Sequence, residues 1–110
     1  MNSPQAVPEL TTEPDPPRKG GNVFRVKLTD AGGFPISGAD VNVTFFMAAM
    51  PAMGMAAMRT SVTMSDKGNG LYEGSGQLES GGTWQVTILA KQNGRVIASK
   101  QFSVNSTGGM

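Results

Sequence analysis

The sequence predicts an all-β domain, an immunoglobulin-like antiparallel β-sandwich of six to seven strands. Three observations predict it. Fifteen glycines and seven prolines in 110 residues interrupt the chain too often for long helices. Apolar and polar residues alternate with period two in several runs, the pattern of half-buried strands. Those runs recur at roughly 8–12-residue spacing with turn residues between them, as in sandwiches.

Residues 1–20 read as a Pro-rich flexible linker. Five of the seven prolines lie there (Pro4, Pro8, Pro14, Pro16 and Pro17), among polar residues that cannot build a core. The β-sandwich domain is expected over 21–104. Its first strand spans Asn22 to Asp30, where Phe24, Val26 and Leu28 alternate with Arg25, Lys27 and Thr29. After a turn at 31–35, a second strand covers Ala39 to Met47, with Val41, Val43, Phe45 and Met47 on one face. Residues 48–58 read as a loop, with one helical turn at Met55–Met58; Pro51 blocks a ladder and Gly54 loosens the backbone. Arg59 to Ser65 is a strand with Val62 and Met64 on one face, and 66–70 is a tight turn. Leu71 to Leu78 is a strand in which Gly74 and Gly76 signal a bulge or a close backbone approach. Thr83 to Lys91 points Trp84, Val86, Ile88 and Ala90 inward. Asn93-Gly94 marks a two-residue hairpin turn, and Val96 to Val104 returns as the last strand. Residues 105–110 are expected to be a disordered tail.

The length fits one domain that can bury a core without staples. The chain has no Cys and no His, which removes disulfides, thiolate metal sites, imidazole ligands and the usual catalytic triads. The eight acidic residues are scattered, so no enzymatic activity is expected. A net charge of +1 without clusters argues against a nucleic-acid partner. No run approaches the ~18 apolar residues of a membrane span, and the first residues lack a basic-then-apolar signal pattern.

Against this plain background the methionines are unusual. Met47, Met50, Met53, Met55 and Met58 fall within twelve residues, and Met64 follows; the other two of the eight are Met1 and Met110. A thioether is a soft, neutral donor suited to Cu(I) and Ag(I) and ill suited to Mg, Ca or Zn. It has no proton to lose, so its affinity does not depend on a lowered pKa. Small Ala and Gly spacers let a Met-x-x-Met-x-x-Met-x-Met loop gather its sulfurs around one ion. The other reading is an apolar docking loop, since methionine adapts to many surfaces.

Strand phase ranks the candidates. Met50, Met53, Met55 and Met58 belong to the loop. Met47 continues the inward face of its strand, and Met64 ranks last, roughly 16 Å from the loop at ~3.3 Å per strand residue. Trp84, the only Trp, is expected in the core; the alternative is that its indole face caps a cuprous ion through a cation–π contact. Asp66-Lys67-Gly68-Asn69-Gly70 lacks the spaced acidic residues of a calcium loop and reads as a turn.

In order, the chain carries Asn22-Val-Phe-Arg-Val-Lys-Leu-Thr-Asp30, Gly33-Phe-Pro-Ile-Ser-Gly-Ala-Asp-Val41, the methionine loop with Met50-Pro-Ala-Met-Gly-Met55, Gly70-Leu-Tyr-Glu-Gly74 and Gly82-Thr-Trp-Gln-Val86. This set resembles the YtkA-like domain family over roughly residues 18–104. Such domains are similar to modules found with CusB-type periplasmic adaptor (membrane-fusion) proteins of copper and silver efflux systems. The resemblance implies a periplasmic or envelope location and capture of Cu(I) or Ag(I). It also implies partners among other adaptor domains, the pump or a periplasmic metal chaperone.

Overall fold

The computed structural model describes residues 6–15 and 17–107. Among these residues it holds seven strands: β1 (Val7–Glu13), β2 (Gly20–Thr29), β3 (Asp40–Met47), β4 (Met58–Gly68), β5 (Leu71–Leu78), β6 (Gly82–Gln92) and β7 (Arg95–Ser106), with a single 3-10 turn at Pro51–Met53. All pairings between strands are antiparallel, in the order β1-β2-β5-β4-β3-β6-β7. No helix among the described residues is long and apolar enough to cross a membrane.

The sheet folds on itself at β4. Met58 to Met64 pair with β3, whereas Ser65 to Gly68 pair with β5, with a register shift between Asp66 and Gly68. One strand therefore belongs to two half-sheets, β1-β2-β5 on one side and β3-β6-β7 on the other. The alternation read from the sequence supplies their facing surfaces. Phe24, Val26 and Leu28 of β2 are buried opposite Val41, Val43 and Phe45 of β3 and Trp84, Val86 and Ile88 of β6. The Phe24 and Phe45 rings meet across the interface, centroids 4.5 Å apart. Burying an apolar side chain of this size contributes roughly 1.5–3 kcal/mol, so this central layer dominates the fold's stability.

Two expectations about the ends of the chain are corrected. Residues 7–13, read as linker, form β1 in register with β2 from Val7/Thr29 to Glu13/Val23. The proline count hid the alternation: Pro8 and Leu10 point inward between exposed Val7, Glu9 and Thr11, and β1 is an edge strand, where proline is tolerated. Likewise Asn105 and Ser106, read as tail, complete β7 against Thr83 and Gly82. Of those two stretches, residues 1–5, 16 and 108–110 lie outside the described residues. The two edges are tied at both ends. Ala6 N–H donates to the Ile97 carbonyl at 3.1 Å, Thr107 N–H to Pro17 at 2.8 Å, and Lys19 N–H to Thr107 at 2.7 Å.

The helical turn expected at Met55–Met58 is also corrected. The turn is 3-10 and lies earlier, with Pro51 at its first position and Gly54 closing it at φ 69°. Proline's fixed φ favours a turn start, and a left-handed end favours glycine. Gly74 and Gly76 mark close approach, not a bulge. A Cβ at Gly74 would stand 2.7 Å from Val62 Cγ1, and one at Gly76 2.8 Å from Val62 Cγ2.

Candidate metal centre

The antiparallel order places the ends of β1, β3, β5 and β7 and the starts of β2, β4 and β6 at one end of the sandwich. The loop of residues 48–57 lies at that end, as does the 79–81 turn. Asn22 fixes this end from beneath. Its amide donates to the carbonyls of Arg18 at 2.7 Å and Gly20 at 3.0 Å, and its oxygen accepts from Arg18 N–H at 2.8 Å. Sequence reading missed Asn22, because a polar residue on the inward phase of a strand start gives no local signal of its partners.

The methionine loop is a narrowing continuation of the β3–β4 hairpin. Met47 and Met58 are directly opposed as its last pair. Three residues further on, Met50 and Met55 are opposed again by two backbone hydrogen bonds, Met50 N–H to Met55 O at 2.8 Å and Met55 N–H to Met50 O at 3.0 Å. Residues directly opposed in this way have Cβ atoms about 4.5–5.5 Å apart, so the two methionine side chains of each pair start from neighbouring points on the hairpin. Met53 N–H donates to Met50 O at 3.0 Å and Gly54 N–H to Pro51 O at 3.0 Å, closing the tip. Sequence reading missed this second pairing, although Pro51 and Gly54, flanked by Met50 and Met55, are its turn signal.

The six internal methionines sort by depth. Met47 is 4% exposed, and its methyl lies under the start of β6, where a Cβ on Gly82 would stand 3.3 Å from Met47 Cε. Met50, Met55 and Met58 are half-buried and pack on the core. Met53 stands at the tip, 59% exposed. Met64 is 6% exposed and opposes Val41, six residues along β4 from Met58, roughly 20 Å at 3.3 Å per residue. Its sulfur lies against β5, 2.9 Å from where a Gly74 Cβ would stand. The fold thus gathers Met47, Met50, Met55 and Met58 on the core side of one hairpin end, sets Met53 above them, and leaves Met64 in the core.

Trp84 takes the core position. It is fully buried, and its indole N–H donates to the Ser80 carbonyl at 3.0 Å. Among the described residues no group of three or more carboxylates gathers to hold an ion. The side-chain donors of the 47–58 loop itself are thioethers, which suit a soft monovalent ion and give a hard divalent one no charge to balance. Two open grooves, of about 530 and 310 Å³, are lined by residues such as Glu13 and Arg18, or Leu10 and Phe102; no methionine lines either.

The ionisable groups with shifted pKa values lie elsewhere. At the opposite end, the N–H groups of Gly38 at 2.7 Å and Gly68 at 2.8 Å hold the Asp66 carboxyl below its usual range. Burial pushes the Tyr72 phenol up; its hydroxyl donates to Ile36 O at 2.8 Å and accepts from Ala39 N–H at 3.1 Å. On the outer face of β2, Glu13 and Glu73 each hold Arg25 at 2.8 Å.

A family model described as YtkA-like matches residues 8–89. No curated protein matches the chain. Among solved structures, the chain is similar to the crystal structure of MtrC from Shewanella baltica OS185, at 13% sequence identity and a TM-score of 0.46. That similarity covers 94% of this chain and 22% of the length of that one.

Proposed function

The chain belongs to the YtkA-like family, and on that premise we propose that it is a Cu(I)- or Ag(I)-binding module that takes up its ion through the methionine loop. The observation that carries this reading is the double cross-strand pairing of methionine residues at one hairpin end, Met47 with Met58 and Met50 with Met55, under an exposed Met53. The ion is cargo here. Met50, Met55 and Met58 offer sulfurs from a strand-supported wall, and Met53 offers one from the tip. The loop from 47 to 58 carries no ionisable side chain, so uptake needs no deprotonation and persists in acid. We place the module in the periplasm of a heavy-metal efflux system, attached to a CusB-type adaptor. From there it delivers metal to the pump or receives it from a chaperone.

Equilibrium dialysis against Ag(I) tests this reading. Replacing Met50, Met53 and Met55 together with Ile removes three thioethers and keeps apolar bulk, a change cores tolerate at under about 1.5 kcal/mol each. The variant is expected to fold and to lose at least about tenfold in silver affinity. Unchanged affinity contradicts the proposal.

One observation favours a second reading. The exposed loop side chains Ala48, Ala49, Pro51, Ala52 and Met53 are all apolar, which suits an interaction module that docks without metal. Under that reading silver does not bind, and the Ile variant still recognises its partner domain.

A further inference from the structure

The depth order of the methionines has a chemical consequence independent of any metal. A thioether is oxidised by oxygen transfer. The sulfur lone pair attacks one oxygen of a hydroperoxide, an S–O bond forms, the O–O bond breaks, and water or an alcohol departs with the shifted proton. Sulfur loses two electrons and the peroxide gains them. The product is a polar sulfoxide that reductases can return to the thioether.

Sulfur atoms differ in how easily a peroxide reaches them. Met53 is 59% exposed, whereas Met47 and Met64 are 4% and 6% exposed and Met50, Met55 and Met58 lie half-buried against the core. They also differ in what the added oxygen costs. On Met53 it points into water. On Met50, Met55 or Met58 it places an unpartnered polar atom against apolar neighbours, which is unfavourable. The backbone at the tip is held by hydrogen bonds that do not involve the Met53 side chain, so its modification leaves the turn intact.

We propose that Met53 is a reversible oxidation site: hydroperoxides convert it to the sulfoxide ahead of every other internal methionine, leave the fold unchanged, and so weaken soft-metal uptake at the loop. The last clause rests on the metal-binding reading; the first two do not. Oxidation withdraws one soft sulfur and substitutes a hard oxygen, while the buried sulfurs keep their chemistry.

The test treats the intact, metal-free chain with limiting hydrogen peroxide and maps oxygen incorporation at each methionine by tandem mass spectrometry, with Met1 and Met110 read separately. The expected result is that Met53 carries the first internal oxygen, that Met47 and Met64 carry the last, and that Tm does not move at one oxygen on Met53. In a Met53→Leu variant the fast internal phase disappears and the other internal sites keep their rates. The proposal is overturned if Met50, Met55 or Met58 oxidises as fast as Met53, or if the Met53 sulfoxide lowers Tm. Silver dialysis on the singly oxidised chain is a separate readout. Its affinity should fall to that of Met53→Ile and recover after methionine sulfoxide reductase treatment. Unchanged affinity overturns the switching clause, whereas a reduced chain that never binds silver overturns the metal reading and leaves the oxidation order to stand on its own map.

Discussion

Gly74 shows how a single residue position couples frame and site. It sits in the middle of β5 opposite Phe24, and a Cβ there would press on Val62 at 2.7 Å and on the Met64 sulfur at 2.9 Å. Met64 is flexible, but Val62 is β-branched and buried and has few rotamers to escape into. Gly74→Ala is therefore expected to destabilise the domain by about 1–3 kcal/mol in denaturant titration, the usual cost of overpacking. The sequence announced a close approach at this glycine but did not name its partner, because the contact lies between strands that are set only by the register of β4. Tyr72 is a second such residue. Tyr72→Phe keeps the ring and strands the buried Ala39 N–H, so a loss of about 1–3 kcal/mol is expected by the same measurement. Nothing local marked the tyrosine: its partners, Ile36 and Ala39, lie in a loop more than thirty residues away.

At the scale of elements, strand cores were legible and strand ends were not. Leu71 to Leu78 needed no revision, and the other predicted strands moved at their ends by one to three residues, since side-chain alternation reports the face a residue takes and says little about where pairing stops. The methionine loop was legible as an interruption of the β pattern, and its inner pairing of Met50 with Met55 was not, because a two-residue bridge leaves no periodicity. The 30–39 connection at the far end is pinned by Asp66, and this gives a pH prediction. Gly38 and Gly68 donate to its carboxylate and hold its folded pKa below the unfolded value. The contribution is complete above the ordinary aspartate range and is lost as pH falls through the lowered folded value. Asp66→Asn should lower Tm at neutral pH, and the gap between variant and parent should close as pH drops below about 4. A gap that stays constant to pH 2 would contradict the assignment.

The whole molecule is a rigid frame that carries a chemically distinct end. Its class, an all-β antiparallel sandwich, followed from glycine and proline spacing together with period-two runs. Its closure did not follow, because β1 hides in a proline-rich stretch and the seam depends on backbone contacts between Ala6 and Ile97 and around Thr107. Removing residues 1–13 tests that closure. It deletes the β1 ladder and the Glu13–Arg25 ion pair, and should lower Tm by more than about 5 °C, as a loss near 1 kcal/mol does in a domain of this size; a flexible linker could be removed without effect. The candidate metal end was legible as residue types and not as geometry, since thioether chemistry is written in the sequence whereas cross-strand pairing is not. The most direct test of the central claim is a titration of the methyl-labelled chain with Ag(I), following every methionine methyl by NMR. The Met50, Met53, Met55 and Met58 methyls are expected to shift together and saturate at a common stoichiometry, while the Met64 methyl, roughly 20 Å away along β4, stays where it was. Loop methyls that do not move at micromolar silver, or a Met64 signal that moves with them, would contradict it.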